Sequence, residues 1–259
     1  MATKHKFGLT LSGGGVKGLA HAGALQALSD NNLRPTCISG TSAGAMVGAL
    51  YAAGVDPEKI LELVNSTSLF GLHNFNWRKP GFFDISFLTT ILEKHLGEST
   101  FEDLPIELHT VATDLITAQS KVFSSGKLIP AILASSAFPM LFSPIHIEDG
   151  WYADGGITNN FPVNIVRQRC DKLLGIYVSP LHKVGEKSLD NTLKIVDRVY
   201  RISINYNSVQ KFDTCDWVIY PEELQNYSTF DMKKASEIYE IGYKAALKIV
   251  DEIKSEVAE

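Results

Sequence analysis

Cysteine is scarce in this sequence, with Cys37, Cys170 and Cys215 the three among 259 residues. Their odd number, wide spacing and lack of any metal-type pattern exclude a disulfide framework and a cysteine zinc site, and suit reduced, mostly buried thiols in a reducing compartment. Long apolar runs are missing too. No segment reaches about 18 uninterrupted apolar residues, and the apolar run in the N-terminal "MATKHKFGLTL" is too short for a signal-peptide core, so neither a membrane span nor secretion is expected. A cytoplasmic location is the expectation. Positive charge is not in excess: 24 Lys and Arg face 29 Asp and Glu, giving a net charge of −5 without a basic cluster. That balance excludes nucleic acid as a partner, and leaves any contact with a membrane surface apolar and transient. Internal repeats and low-complexity linkers are absent as well, so residues 1–259 read as a single domain.

What the chain does have is ordinary globular composition, 45 % hydrophobic and 20 % charged, enough to bury one large core. "KFGLTLS" reads as a strand, "TCISG" as the next, and each is followed by a helix, the second closed by Gly54. Such a β-loop-α-β-turn-α unit builds a parallel sheet with right-handed crossovers, hence an α/β class. Asp56 and Pro57 cap a third helix. Residues 67–84 are aromatic-rich without period and read as a long loop, and "ISFLTTILEKHLG" then returns to helix. Further strands are expected at "PIELHTVATDL", "AQSKVFSSG", "WYAD", "KLLGIYVSP" and "DWVIYP". Helices are expected at "KLIPAILASSA", near 190–210 and from about Asp231 to the end.

Two loops of the first unit carry chemistry. "LSGGGVKGLAHAG" places Gly13, Gly15 and Gly18 between a strand and a helix, where backbone N–H groups and the helix dipole favour an anion. The match to a dinucleotide fingerprint is literal, but no acid stands about 20 residues on, and no GK[ST] follows Lys17. The second strand ends in "GTSAG", a GxSxG sequence in strand–turn–helix context, which lifts Ser42 from the sheet edge as a nucleophile; the competing reading makes Ser42 a plain helix cap. Consecutive parallel strands bring both loops to one edge, so N–H groups of Gly14, Gly15 and their neighbours could receive the oxyanion formed when Ser42 attacks an ester carbonyl.

A serine needs a base. Asp154, in "YADGGITNN", is one candidate, and a simple Asp-Gly turn is its alternative. A histidine is the other. His5, His21, His73, His95, His109 and His146 all precede Asp154, so only Ser42, Asp154 and His182 keep the chain order of an α/β-hydrolase triad.

"SGGGVKGLAHAG", "GTSAG" and "ADGG" together resemble the three signature motifs of the patatin-like phospholipases, and the likeness runs over roughly residues 6–180. The resemblance implies a three-layer α/β/α sandwich with a mainly parallel central sheet, and a Ser-Asp dyad that cleaves acyl esters of lipids without metal or organic cofactor. In it Ser42 is the nucleophile, Asp154 the general base, and Gly13, Gly14 and Gly15 with Lys17 form the oxyanion loop. Ser12 departs from the pattern, since many relatives have Asp there. His182 becomes a bystander and Asp114 structural. The aromatic segment 67–87 is a candidate lid or acyl-chain contact, with cover for the core as the plainer reading. A nucleotide-binding module and a catalytically silent interaction domain stay open as the non-hydrolase readings.

Overall fold

The structure is a computed structural model and describes residues 5–66, 85–139, 141–229 and 232–257. The strands are β1 (Phe7–Leu11), β2 (Cys37–Thr41), β3 (Glu107–Asp114), β4 (Gln119–Phe123), β5 (Ile145–Ile147), β6 (Gly150–Asp154), β7 (Lys172–Ile176) and β8 (Trp217–Ile219). They form one sheet in the order β5-β6-β3-β2-β1-β7-β8, with β4 also paired to β3. Strands β3, β2, β1, β7 and β8 run parallel, while β4 and β6 pair antiparallel with β3. The sheet is therefore parallel at its centre and mixed at one side.

Helices cover both faces: α1 (Leu19–Asp30), α2 (Ala43–Ala52), α3 (Pro57–Ser66), α4 (Ser86–Leu96), α5 (Leu128–Ser136), α6 (Gly156–Asn159), α7 (Val163–Val166), α8 (Thr192–Val209), α9 (Ala235–Leu247) and α10 (Val250–Val257). The alternation of side chains along each strand divides the core. Phe7, Leu9, Leu11, Ile38, Leu174 and Ile176 face α1, α2 and α9, whereas Cys37 and Leu173 join Phe161, Val163, Val166 and Tyr177 on the other side. This is the expected α/β/α sandwich. Among the described residues no helix is long and apolar enough to cross a membrane, and all three cysteines are free, Cys37 and Cys170 buried.

Local differences from the sequence expectation have local causes. β5 is only three residues long, too short to show a period, and exists through its pairing with β6 across the Glu148 turn. The closing helix is two: α10 turns back on the sheet edge, where Glu252 accepts from Trp217 Nε1 (3.0 Å) and Glu256 pairs with Lys172. In "ADGGITNN" Asp154 ends β6 and "GITN" is a short helix, α6, in place of a plain turn. The aromatic segment proposed as a lid falls on 67–84, outside the described residues, and Phe87 stands just beyond it at the start of α4.

Candidate active site

The sheet register explains how two residues more than a hundred positions apart meet. Leu11 is level with Gly40 and Thr41 with Val111, so continuing by one residue sets Ser42 level with Ala112, which pairs with Asp154. The residue between the hydroxyl and the carboxyl carries only a methyl group. Ser42 itself has φ 54° and ψ −121°, a conformation L-residues rarely adopt, and its side chain makes no cap hydrogen bond to α2. The plain helix-cap reading is thereby removed. Ser42 Oγ instead stands near the carboxylate of Asp154, whose pKa it lowers as a nearby donor.

Several contacts hold the pair in place. Ser135, at the end of α5, accepts the N–H of Ser42 (2.9 Å) and donates to Val111 O (2.5 Å). The neighbouring Ala137 O accepts the N–H of Asp154 (2.9 Å). The N–H of Gly156 reaches Asp154 Oδ1 at 2.7 Å, and Thr41 donates to Asn159 O (2.8 Å). At Gly44 a Cβ would stand 2.3 Å from Leu11 O, so only glycine lets α2 start this close to the end of β1. Asp154 is 3 % exposed; burial raises its carboxyl from 3.8 to about 6 against the lowering pull of Ser42 and Gly156. It remains ionised at neutral pH and is a stronger base than an exposed aspartate.

The glycine loop ends β1 beside this pair and enters a short 3-10 turn, Gly15–Gly18. The N–H of Gly13 donates to Asn160 O (3.1 Å) and that of Val16 to Thr229 O (2.8 Å). Gly14 and Gly15 lie between them, and their N–H groups meet no acceptor among the described residues. Both line the cleft of Ser42. Gly15 has φ +59°, and a Cβ there would stand 2.3 Å from Thr229 Cγ2.

Two members of the expected oxyanion loop are thus placed otherwise. Gly13 lines the cleft but has its N–H committed. Lys17 turns its side chain away from the cleft of Ser42 to a second cavity, because the 3-10 turn rotates it to the far side. His182 also borders that second cavity and not the cleft of Ser42. Asp114 is a turn residue, accepting N–H groups of Ile116 (2.8 Å) and Thr117 (3.2 Å).

The cleft has a volume of about 230 Å³. On the side of α2, α3 and α4 its wall is apolar, with Met46 and Leu50 from α2, Ile60 and Val64 from α3, and Leu88 and Ile91 from α4, while Asp197 and Arg201 border its other side. Ser12, the departure from the family pattern, is buried and structural: its Oγ accepts the N–H of Val178 (3.0 Å), and its carbonyl bonds His21 Nε2 (2.8 Å). Burial lowers His21 to about 4, so it is neutral and the donor there. Sequence reasoning did not single out Ser135 or Ala43. Only Ala43 carried a signal, as the residue after the serine in a GxSxG turn.

The family model of the patatin-like phospholipases matches residues 9–167, more than half of the chain. The chain belongs to the patatin-like phospholipase family. Similar curated patatin-like proteins include a patatin-like phospholipase domain-containing protein, ZK370.4, of Caenorhabditis elegans, 27 % identical over 93 % of this chain and 20 % of its own length. Lysophospholipase NTE1 of Candida glabrata is 27 % identical over 91 % of this chain and 15 % of its own. The chain therefore spans about a fifth or less of these two relatives. An uncharacterized mimivirus protein, R571, is 25 % identical and matched over 92 % of this chain and 91 % of its own. Among solved structures, VipD from Legionella pneumophila shares the patatin-like fold with a TM-score of 0.55 at 17 % identity, over 97 % of this chain and 67 % of that one.

Proposed function

We propose that this chain is a serine acyl hydrolase that cleaves lipid acyl esters through a Ser42–Asp154 dyad. The observation that carries the reading is a serine hydroxyl in a strained turn placed near a buried carboxylate, beside two uncommitted backbone N–H groups and an apolar cleft. Family membership and the lysophospholipase name of one relative point the same way.

In the first half-reaction Ser42 Oγ attacks the ester carbonyl carbon while its proton passes to Asp154. The negative oxygen settles among the N–H groups of Gly14, Gly15 and Ala43, each such donor contributing about 2.7–4 kcal/mol to the transition state. Collapse of the intermediate expels the alcohol, which takes the proton back from Asp154, and leaves an acyl-serine with its chain along α2, α3 and α4. In the second half Asp154 takes a proton from water, the hydroxide attacks the acyl-serine, and the returning proton restores Ser42 as the fatty acid leaves. The net change is ester plus water to acid plus alcohol, with no metal or cofactor in any step. The free thiols fit the reducing, cytoplasmic setting we assign to it.

The test is hydrolysis of a lipid and monoester panel by wild type, Ser42→Ala and Asp154→Asn, with fluorophosphonate labelling of Ser42. Both variants should fold and lose turnover at least about 10³-fold. Wild-type kcat/KM should rise through pH about 6, where Asp154 loses its proton. Loss of turnover in His182→Ala as great as that in Asp154→Asn would replace the dyad by the Ser42, Asp154 and His182 triad.

A further inference from the structure

α8 carries an apolar seam on the side turned away from the rest of the protein. Ile195, Val199, Ile202, Tyr206 and Val209 follow one another at intervals of four, three, four and three residues, which at 3.6 residues per turn keeps all five within an arc of about 80°. Val199 is 61 % and Tyr206 68 % exposed, and the other three are exposed by 40 % or more. The opposite side is the one fixed to the fold. There the ring of Tyr200 meets Phe138 edge-on at 5.2 Å, Asn205 Nδ2 donates to Tyr177 Oη (3.2 Å), and Ser208 is buried. The charges of α8 are displaced to one flank of the seam, with Lys194, Arg198 and Arg201 on it and Thr192, Ser203 and Asn207 on the other. Asp197, the sole acid of the helix, lies inward and pairs with Arg201 at 2.7 Å.

The width, area and charge of the seam select what covers it. A strict four-three spacing is the seam of two packed helices, whereas the face that a helix lays into lipid is wider and built of Trp, Phe and Leu, none of which stands in this one. The five side chains leave on the order of 500 Å² of apolar surface bare, as large as the largest patch on a typical monomer and more than half of the roughly 800 Å² that each partner buries in a standard interface. Charge sets the direction. Lys194 and Arg198 stand in the first half of α8, and residues 202–209 carry no charge. A second α8 laid antiparallel brings each basic half against the uncharged half of the other, beside the negative end of its helix dipole. A parallel pair would set the two basic halves side by side.

We infer that α8 is the interface of a homodimer, in which the seams of two copies pack antiparallel about a twofold axis at Ile202. Ile195 of one copy meets Val209 of the second, and Val199 meets Tyr206, so one surface complements itself. The inference does not rest on the chemistry of Ser42. It bears on that chemistry through the inward side of α8, where Tyr200 and Ile204 line the cleft, so that the second copy braces one wall of the cleft without entering it.

The experiment is sedimentation equilibrium of the full chain across micromolar concentrations, for wild type, Ile202→Glu and Tyr206→Glu. Wild type should have twice the mass of one chain. Each glutamate should raise the dissociation constant at least about tenfold and leave the circular dichroism unchanged, because both positions are on the surface. Disulfide trapping reads the direction, with the wild-type cysteines as the blank: Ile202→Cys should link to itself, and Ile195→Cys should link to Val209→Cys but not to itself. A wild type that stays monomeric throughout, a dimer indifferent to both glutamates, or self-linking of Ile195→Cys overturns the inference. Flotation with phosphatidylcholine vesicles tests the lipid alternative: a monomeric wild type that floats, and an Ile202→Glu that does not, would assign the face to a membrane and overturn the dimer. Association is read without turnover, so the failure of the dimer and the failure of the acyl-hydrolase reading are seen separately.

Discussion

Replacing Asp154 by asparagine should make the protein more stable at alkaline pH while removing its activity. Asp154 is buried, and desolvation lifts its carboxyl from 3.8 to about 6 in spite of the nearby Ser42 hydroxyl and a hydrogen bond from Gly156. A rise of this size corresponds to about 3 kcal/mol of folding free energy that the native state loses when the group ionises. The unfolded chain gives up the proton near 3.8 and the native state near 6. The stability tied to this group is therefore full below the unfolded value and lost as pH rises through the native one. Asparagine has no charge to desolvate and keeps an oxygen for the N–H of Gly156, at a cost of roughly 1 kcal/mol for its altered contact with Ser42. The net gain at pH 8 is about 1–2 kcal/mol, or about 2–8 °C in Tm for a domain of this length. Thermal melts of both proteins from pH 3 to pH 8 give the test: the gap should open mainly between about pH 4 and pH 6, be level above pH 7 and be absent at pH 3. A variant that melts below wild type at pH 8, or a gap independent of pH, would show that Asp154 is not the buried, desolvated carboxylate on which the proposed mechanism depends.

Ser42→Gly relieves the positive φ at the turn, and should melt about 2–4 °C above Ser42→Ala, both being inactive; a lower melting point for the glycine variant would mean the turn stores no strain. Ser135→Ala leaves the buried N–H of Ser42 without its 2.9 Å acceptor, so denaturant titration should show a loss of about 1–3 kcal/mol together with reduced turnover. Gly15→Ala forces a Cβ against Thr229 at a left-handed position; kcat should fall by about 10²–10³ through the displaced N–H groups, with KM for a long-chain ester changing far less.

Much of this site was legible because its parts are local. A strand ending in GxSxG can place its serine in only one way, and the glycine loop two elements earlier must emerge beside it once β1 and β2 pair in parallel. Asp154 was legible as an acid at a strand end, and the family resemblance named it the base of Ser42, but the residues alone left that pairing open: it is set by the register of β2, β3 and β6, a property of pairing and not of spacing. For the same reason Ser135, 93 positions from the residue whose N–H it accepts, carried no signal. Lys17 shows a different failure. Its neighbours in sequence are the oxyanion glycines, yet the 3-10 turn over Gly15–Gly18 carries its side chain to a different cavity.

That rotation separates two uses of positive potential that the sequence runs together. Backbone N–H groups of Gly14 and Gly15 offer partial charge where a negative oxygen exists only during reaction, and a full cation at that place would hold the acid product and slow its release. Lys17 and the arginines of α8 carry full charge on the other side of the loop, facing a different cavity. For the proposed acyl hydrolase, keeping the two apart means that the transient charge is met by dipoles that do not hold the acid product once the reaction is over.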